Sequence, residues 1–509
     1  MTRAAGVVSA ATLASRVLGL FRDMVIAGFF GAGMGADAFF VAFRIPNFFR
    51  RLFAEGSLTA SFIPVYAEYL EKKTKSEQET LVDITATFAV AVLFLVTALG
   101  VLGARPLVYL LAAGFSQDPE KIDLAVGLTR VCFPYLFFIG LVALCMGVLN
   151  AHRRFFAPAF APVLLNVSMI AAPLALFWFL ETPIYAQAIG VLLGGVAQLA
   201  FQIPYLREIG ITWTPKLDVN HPGVRRILRL MGPAVFGLAI TQLTILINTQ
   251  LASFLPSGTV SYLYFADRLV ELPLGGFAVA IGTAALPSLS RLASSGSREQ
   301  YTESLFYALR LTLFISIPAT VALILLREPI MRVLFQRGSF DMEATRHTAR
   351  ALLGYSIGLP FYCLQRVLVP GFYALKDSRT PVKAGAWALL ANAATGVTLM
   401  WSLEELGLAL ATAVSAAVNV ALLFRWIGPR IAAPPWRELA SAGLRSALAT
   451  AAMGAFLLWT RGAAEWLTPG GTGVKLAILA AACVGGAVVY FVVAALLGSK
   501  ELKTVRELL

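Results

Sequence analysis

Long apolar runs separated by short polar connectors follow one another from one end of the chain to the other. A helix that crosses the hydrocarbon of a bilayer needs about 20 apolar residues. On that measure fourteen spans are predicted, at 5–30, 36–70, 81–112, 122–150, 157–180, 184–206, 225–254, 260–290, 301–327, 343–374, 380–402, 406–427, 438–461 and 471–497. The longest polar connector, 207–224, is too short to hold a soluble domain. The expected fold class is an all-α integral membrane protein with fourteen transmembrane helices. Pro46 and Asn47 are expected to break span 2, freeing backbone groups that a cavity could solvate.

Composition strengthens this reading. Of 509 residues, 58% are hydrophobic and 14% charged, against about 45–50% and about 25% in soluble domains. The net charge of +13 raises nucleic acid as a partner, but the placement of the charge argues against it. Basic residues gather in alternate connectors: Lys72, Lys73 and Lys75; Arg153 and Arg154; Arg207, Lys216, Arg225, Arg226 and Arg229; Lys376, Arg379 and Lys383. The connectors between them, GAGMGAD (31–37), LETP (180–183) and LPSGT (255–259), are nearly free of them. This positive-inside alternation sets topology, with both termini cytoplasmic.

Span 1 is interrupted by arginines and reads as a retained helix, not a cleaved signal. Cys132, Cys145, Cys363 and Cys483 lie in apolar runs without close spacing and read as inert small residues. His152, His221 and His347 are far apart, in or near connectors, and read as solvated residues. There is no G-x-x-x-x-G-K-[ST] loop for nucleotide hydrolysis, and no carboxylate pair within an apolar run for metal-assisted diphosphate chemistry. The chain therefore reads as a non-enzyme without a cofactor.

The chain also repeats itself. Gly35 and Gly258, Pro64 and Pro287, Pro106 and Pro329, and Pro158 and Pro381 are each 223 residues apart. Around them PVYAEYL faces PSLSRLA, and ARPLVYLLAAGF faces REPIMRVLFQRGSF. Spans 1–6 and 7–12 thus read as two parallel six-helix halves around a central cavity, with two helices appended. The corresponding domains are 1–215, 216–430 and 431–509.

Arg16, Arg22, Arg50 and Arg51 interrupt the apolar runs of spans 1 and 2. A cation near the bilayer centre costs roughly 2.5–3.5 kcal/mol on insertion scales and usually faces a bundle interior or a wet cavity. From the helical rise, Arg22 and Arg268 lie about 12 Å below their outer ends, and Arg16, Arg50 and Arg51 about 20 Å. Two tiers of guanidinium forks would suit an extended anion such as a diphosphate. Local ion pairs are the competing reading, since Arg51 and Glu55 are four apart and Arg268 and Glu271 three apart. Asp23 is spaced to pair with Arg16, and Asp37 reads equally as a gate contact or a helix N-cap.

The motifs SRVLGLFRD, FGAGMGADAFFVAFRIPN and RRLFAEGSLTASFIPVYAEY, followed by YFADRLVELPLG, GTAALPSLSRL and LFQRGSFD, resemble the MurJ (MviN) family of lipid II flippases. That family lies within the multidrug/oligosaccharidyl-lipid/polysaccharide exporter superfamily. The resemblance extends over all fourteen spans and implies a flippase that moves an undecaprenyl-diphosphate-linked peptidoglycan precursor to the outer leaflet of the bacterial cytoplasmic membrane. It implies that Arg16, Arg22, Arg50 and Arg268 hold the diphosphate, and that spans 13 and 14 form a groove for the polyprenyl tail. Ser15 and Asn47 join the substrate-binding set, and Asp37 and Glu55 the gate. Some members carry a sodium site in the second half. Asn248 and Asn392 are the candidates here, although neither span 7 nor span 11 has an internal carboxylate. Coupling is expected from a monovalent cation or from the membrane potential. Two negative charges moved outward gain roughly 2.3 kcal/mol each per 100 mV. The expected partners are the polyprenyl-diphosphate lipid, membrane lipids and cell-wall synthesis proteins. The alternatives are a flippase of the same fold for another polyprenyl-linked oligosaccharide, or a non-transporting cell-wall assembly scaffold.

Overall fold

The computed structural model describes residues 2–50, 58–218, 220–463, 465–466 and 471–502. Regular structure among the described residues is helical throughout. The chain forms two compact units, 1–261 and 262–509. The first contains α1 (Thr2–Phe30), α2 (Met34–Phe49), α3 (Thr59–Lys72), α4 (Lys75–Leu102), α5 (Ala104–Leu111), α6 (Pro119–Cys132), α7 (Tyr135–Ala151), α8 (Phe156–Leu176), α9 (Tyr185–Glu208) and α10 (Pro222–Ala252). Helix α11 (Thr259–Pro273) begins in the first unit and continues into the second. There follow α12 (Val279–Ser294), α13 (Arg298–Leu325), α14 (Arg327–Leu334), α15 (Met342–Ala374), α16 (Arg379–Ile427), α17 (Trp436–Arg461) and α18 (Thr472–Leu496).

Ten helical stretches among the described residues are long and apolar enough to cross a membrane. One of them, 379–430, contains both predicted spans 11 and 12, because α16 is two helices hinged at Glu404 (φ 51°, ψ −125°). Predicted spans 1, 2 and 7 fall on α1, on α2 with α3, and on α10. Two boundaries differ from expectation. Helix α2 runs through Pro46 to Phe49 instead of breaking at 46–47. Predicted span 3 stops at Leu102, where Gly103 separates α4 from the amphipathic α5. Large apolar side chains lie on the surface, among them Trp178 (79% exposed), Phe179 (82%) and Leu496 (81%). Apolar exposure on this scale requires a lipid surround.

The 223-residue offset reappears in the helix boundaries. Helix α4 (75–102) has its counterpart in α13 (298–325), and α5 (104–111) in α14 (327–334). Helices α6 and α7 together cover 119–151, and α15 covers 342–374. Even the caps correspond. Asp118 accepts from the backbone of Glu120 and Lys121 at the start of α6, and Asp341 accepts from Ala344 N at the start of α15. Few side chains are shared between the two copies, so the register is carried by the prolines, the capping aspartates and the length of each apolar run.

Within the second unit, α12 approaches α15 closely enough that a Cβ on Gly282 would come within 2.2 Å of the Arg366 carbonyl oxygen. Small residues let helices approach where lipid supplies no hydrophobic drive between them. Helices α17 and α18 pack on each other and on α13 around a core of Phe314, Met453, Leu457, Leu479 and Tyr490. All four cysteines are free.

Helix α4 starts with a capping box. Thr74 Oγ1 accepts from Glu77 N, and Glu77 Oε2 accepts from Thr74 N at 3.0 Å. That backbone bond, aided by Lys73 and the Thr74 hydroxyl, pulls the Glu77 carboxyl down to about 2. Its folded value lies below the unfolded one, so the stabilisation is complete above the ordinary glutamate range and is lost as pH falls towards 2. Amide exchange in the first turn of α4 should quicken over that interval in wild type. In Glu77→Ala, which has no oxygen to accept from Thr74 N, exchange should be faster than wild type at neutral pH and insensitive to pH beyond the intrinsic exchange rate.

Candidate functional site

Helix α1 packs along α8, and Arg22 and Asp23 face that seam, 6% and 1% exposed. Arg22 donates to Asp23 Oδ1 through Nε at 2.9 Å and Nη2 at 2.6 Å. Its Nη1 donates to Asn166 Oδ1 of α8 at 3.0 Å. Asn166 Nδ2 in turn donates to the Ser15 carbonyl at 3.0 Å and approaches Ser15 Oγ at 3.4 Å. Ser15, Arg22, Asp23 and Asn166 thus form one network across two helices. Asp23 pairs with Arg22, not with Arg16 as its spacing suggested. Seven residues are two turns, about 10.5 Å of rise, whereas adjacent side chains at a common seam meet directly. Arg16 is exposed on the same helix and has no hydrogen bond or ion pair among the described residues.

Asp37 organises a second buried cluster. Gly33 holds the N-cap position of α2, so Asp37 does not cap its own helix. Its carboxylate, 1% exposed, accepts from Lys121 Nζ of α6 at 2.9 Å. It also accepts from Gly258 N at 2.7 Å, from Ser261 N at 2.9 Å and from Ser261 Oγ at 2.6 Å. Those amides are unbonded donors at the first turn of α11, where a negative charge is favoured. Segment 258–261 is the counterpart, by the 223-residue offset, of 35–38. Lys121 Nζ also reaches Ser257 Oγ at 3.2 Å and lies 4.3 Å from the Phe115 ring centroid.

Arg50 Nε donates to Asn47 Oδ1 at 2.8 Å, three residues back on the same face. Arg44, half-buried on α2, donates to Thr249 Oγ1 of α10. Asn248 lies beside that threonine on α10. Arg51 and Glu55 lie outside the described residues. In the second unit, Arg268 donates to Glu271 Oε2 at 2.9 Å and to the Tyr264 hydroxyl at 3.1 Å, with its guanidinium 5.1 Å from the Tyr264 ring centroid. Asn392 on α16 is fully buried, and neither its amide nitrogen nor its oxygen has a hydrogen-bond partner among the described residues.

The structure therefore joins Ser15 to Arg22 and Asn47 to Arg50, and sets Asp37 in a separate cluster. Three participants were not singled out from the sequence. Arg44 carries the same signal as its neighbours, a cation inside an apolar run. Asn166 is a lone amide in span 5. Lys121 sits in the polar start of α6, and nothing local points to a carboxylate 84 residues earlier. His347 is not the solvated residue its position suggested. Its Nδ1 is 3.0 Å from the buried Glu405 Oε1, a contact 58 residues away in sequence.

Bilayer-length helices and an apolar surface define a polytopic membrane protein, here with arginines set inside the helical runs. The family model described as lipid II flippase MurJ matches residues 26–480. The lipid II flippase MurJ of Burkholderia cenocepacia is 41% identical over 426 residues, 83% of each chain. A Vibrio cholerae relative named "Probable lipid II flippase MurJ" is 40% identical over 472 residues, 91% of this chain and 90% of its own. A solved lipid II flippase MurJ in an inward closed conformation superposes with TM-score 0.79 at 26% identity, covering 96% of this chain and 98% of its own. An inward-facing multidrug transporter of the MATE family and MOP superfamily shares the fold, with TM-score 0.64 at 16% identity. The chain belongs to the lipid II flippase MurJ family.

Proposed function

We propose that the chain carries a polyprenyl-diphosphate-linked peptidoglycan precursor, lipid II, from the inner to the outer leaflet of the bacterial cytoplasmic membrane by alternating access. The observation that carries this reading is the family membership over most of the chain, at 41% identity to a lipid II flippase. Arg16, exposed and without a protein partner among the described residues, is the guanidinium best placed to meet a diphosphate. Arg22, Arg50 and Arg268 share that role, with Ser15 and Asn47 as neutral contacts. Asp37 and Glu55 belong to the gate, and α17 and α18 offer the groove for the tail. Domains 1–215, 216–430 and 431–509 follow the repeat, which the recurring helix boundaries support. Asn248 and the unsatisfied amide of Asn392 are the candidates if a monovalent cation couples transport. The membrane potential is the other source of drive.

Identification of the lipid that co-purifies, by mass spectrometry, tests the substrate. A polyprenyl diphosphate bearing a muropeptide is expected. A polyprenyl-linked sugar without peptide would replace this reading with export of another oligosaccharide, and a bound pool of phospholipid alone would overturn it.

Fourteen crossings with cytoplasmic termini are the proposed topology. In a chain cleared of native cysteines, single cysteines at 182 and 257 should react with an impermeant thiol reagent in spheroplasts. Cysteines within 72–78 and 216–224 should react only after lysis. Labelling of the second group from outside would reverse the orientation.

A further inference from the structure

We propose that the second unit carries a divalent-metal site of the zinc or manganese class, formed by His347 near the start of α15 and by Glu404 and Glu405 at the hinge of α16. One donor atom from each of the three residues lies within 4.8 Å of the other two. Glu405 is 1% exposed, and its Oε1 is 3.0 Å from His347 Nδ1. The imidazole is fixed from its face by the Tyr262 ring, stacked at 5.0 Å with an interplanar angle of 10°. The ring can therefore turn little, and its two nitrogens address carboxylates on opposite sides: Glu405 at Nδ1, and Glu343 Oε1 at 4.0 Å from Nε2.

The hinge makes the donor set possible. In a helix, consecutive side chains point about 100° apart, so Glu404 and Glu405 would not address the same imidazole. The left-handed backbone of Glu404 (φ 51°) turns both carboxylates to one side. A glutamate held at positive φ is uncommon and marks a local constraint. The cation now touching Glu405 is Arg350, whose Nη1 is 3.4 Å from Oε1 and whose side chain is 44% exposed. It can turn to water when an ion takes its place.

One imidazole nitrogen and two carboxylate oxygens suit zinc, cobalt or manganese better than calcium, which takes six to eight oxygens. Zinc bonds of about 2.0–2.2 Å to nitrogen and oxygen require the donors to close by roughly 1 Å. The half-exposed Glu404 can supply that closure by rotation. The ion would tie the start of α15 to the α16 hinge. This inference stands apart from the lipid reading, because it involves none of the arginines assigned to the diphosphate.

The test uses the full-length protein in detergent without a polyhistidine tag, titrated with zinc chloride by calorimetry, with thermal unfolding followed in parallel. One zinc per chain and a Tm that rises with zinc are expected. Glu404→Gln and His347→Gln should each weaken binding by at least about tenfold, as loss of even a supporting ligand does. Replacing His152 and His221, which lie in the first unit, should change nothing. Glu404→Gln leaves the buried His347–Glu405 contact in place, so its metal-free Tm should match wild type and separate ligand loss from misfolding. Less than one zinc per chain, or binding that survives both second-unit substitutions, would mean an adventitious ion only and would overturn the site.

Discussion

Arg16→Ala should slow transport sharply and leave the protein folded. In a reconstituted lipid II translocation assay the rate should fall on the order of 10- to 100-fold, the range expected for one hydrogen-bonded charge worth about 1.5–3 kcal/mol. Its Tm should stay near wild type, since Arg16 makes no ion pair or hydrogen bond among the described residues. Arg16→Lys should recover little, because an ammonium cannot reproduce the guanidinium's planar fork. Arg22 should behave differently. Its removal takes from Asp23, 1% exposed, the guanidinium bonded to it at 2.6 Å, so Arg22→Ala should lose both stability and transport. Adding Asp23→Asn should restore most of the stability, since both charges are then gone. If transport returns with it, Arg22 is a structural partner of Asp23 and not a ligand of the diphosphate. Full activity in Arg16→Ala would remove the main support for a cationic diphosphate site.

Breaking the Asp37–Lys121 pair should be the largest single loss of stability. Both side chains are at least nine-tenths buried and 2.9 Å apart, and removing one partner of such a pair costs about 3–5 kcal/mol. Lys121→Met should cost more than Asp37→Asn. The methionine variant leaves a buried carboxylate with only neutral donors, whereas asparagine can still accept from Gly258 and Ser261. The double variant should be closer to wild type than Lys121→Met alone, as unfolding of the detergent-solubilised protein would reveal. Additive losses would mean that the two side chains do not interact. A double variant that regains stability but not transport would favour the gate role.

The arginines show where sequence reading reached and where it stopped. Their presence inside apolar runs was visible directly, because a charge in a lipid-length helix is costly anywhere and needs a reason. The partners of Arg22 and Arg44 were not visible. Arg22 and Asp23 are adjacent, yet their shared seam is defined by Asn166, 144 residues away from Arg22. The ion pair of Arg268 with Glu271 was legible because both residues lie on one helix face.

The helical class, most helix positions and the 223-residue repeat follow from local features of the chain. Length and hydropathy of each run fix whether a segment can span a bilayer, and that requirement acts locally. Tertiary structure decided what each charged group faces: Asp37 on Lys121 and on the first turn of α11, Arg44 on Thr249, and His347 on Glu405. These contacts join residues 58 to 224 positions apart. They follow from which helix seams close against each other, and in a chain where every span is apolar, hydropathy does not distinguish one seam from another. Only the packing of small residues and the matching of each buried charge to its partner select them.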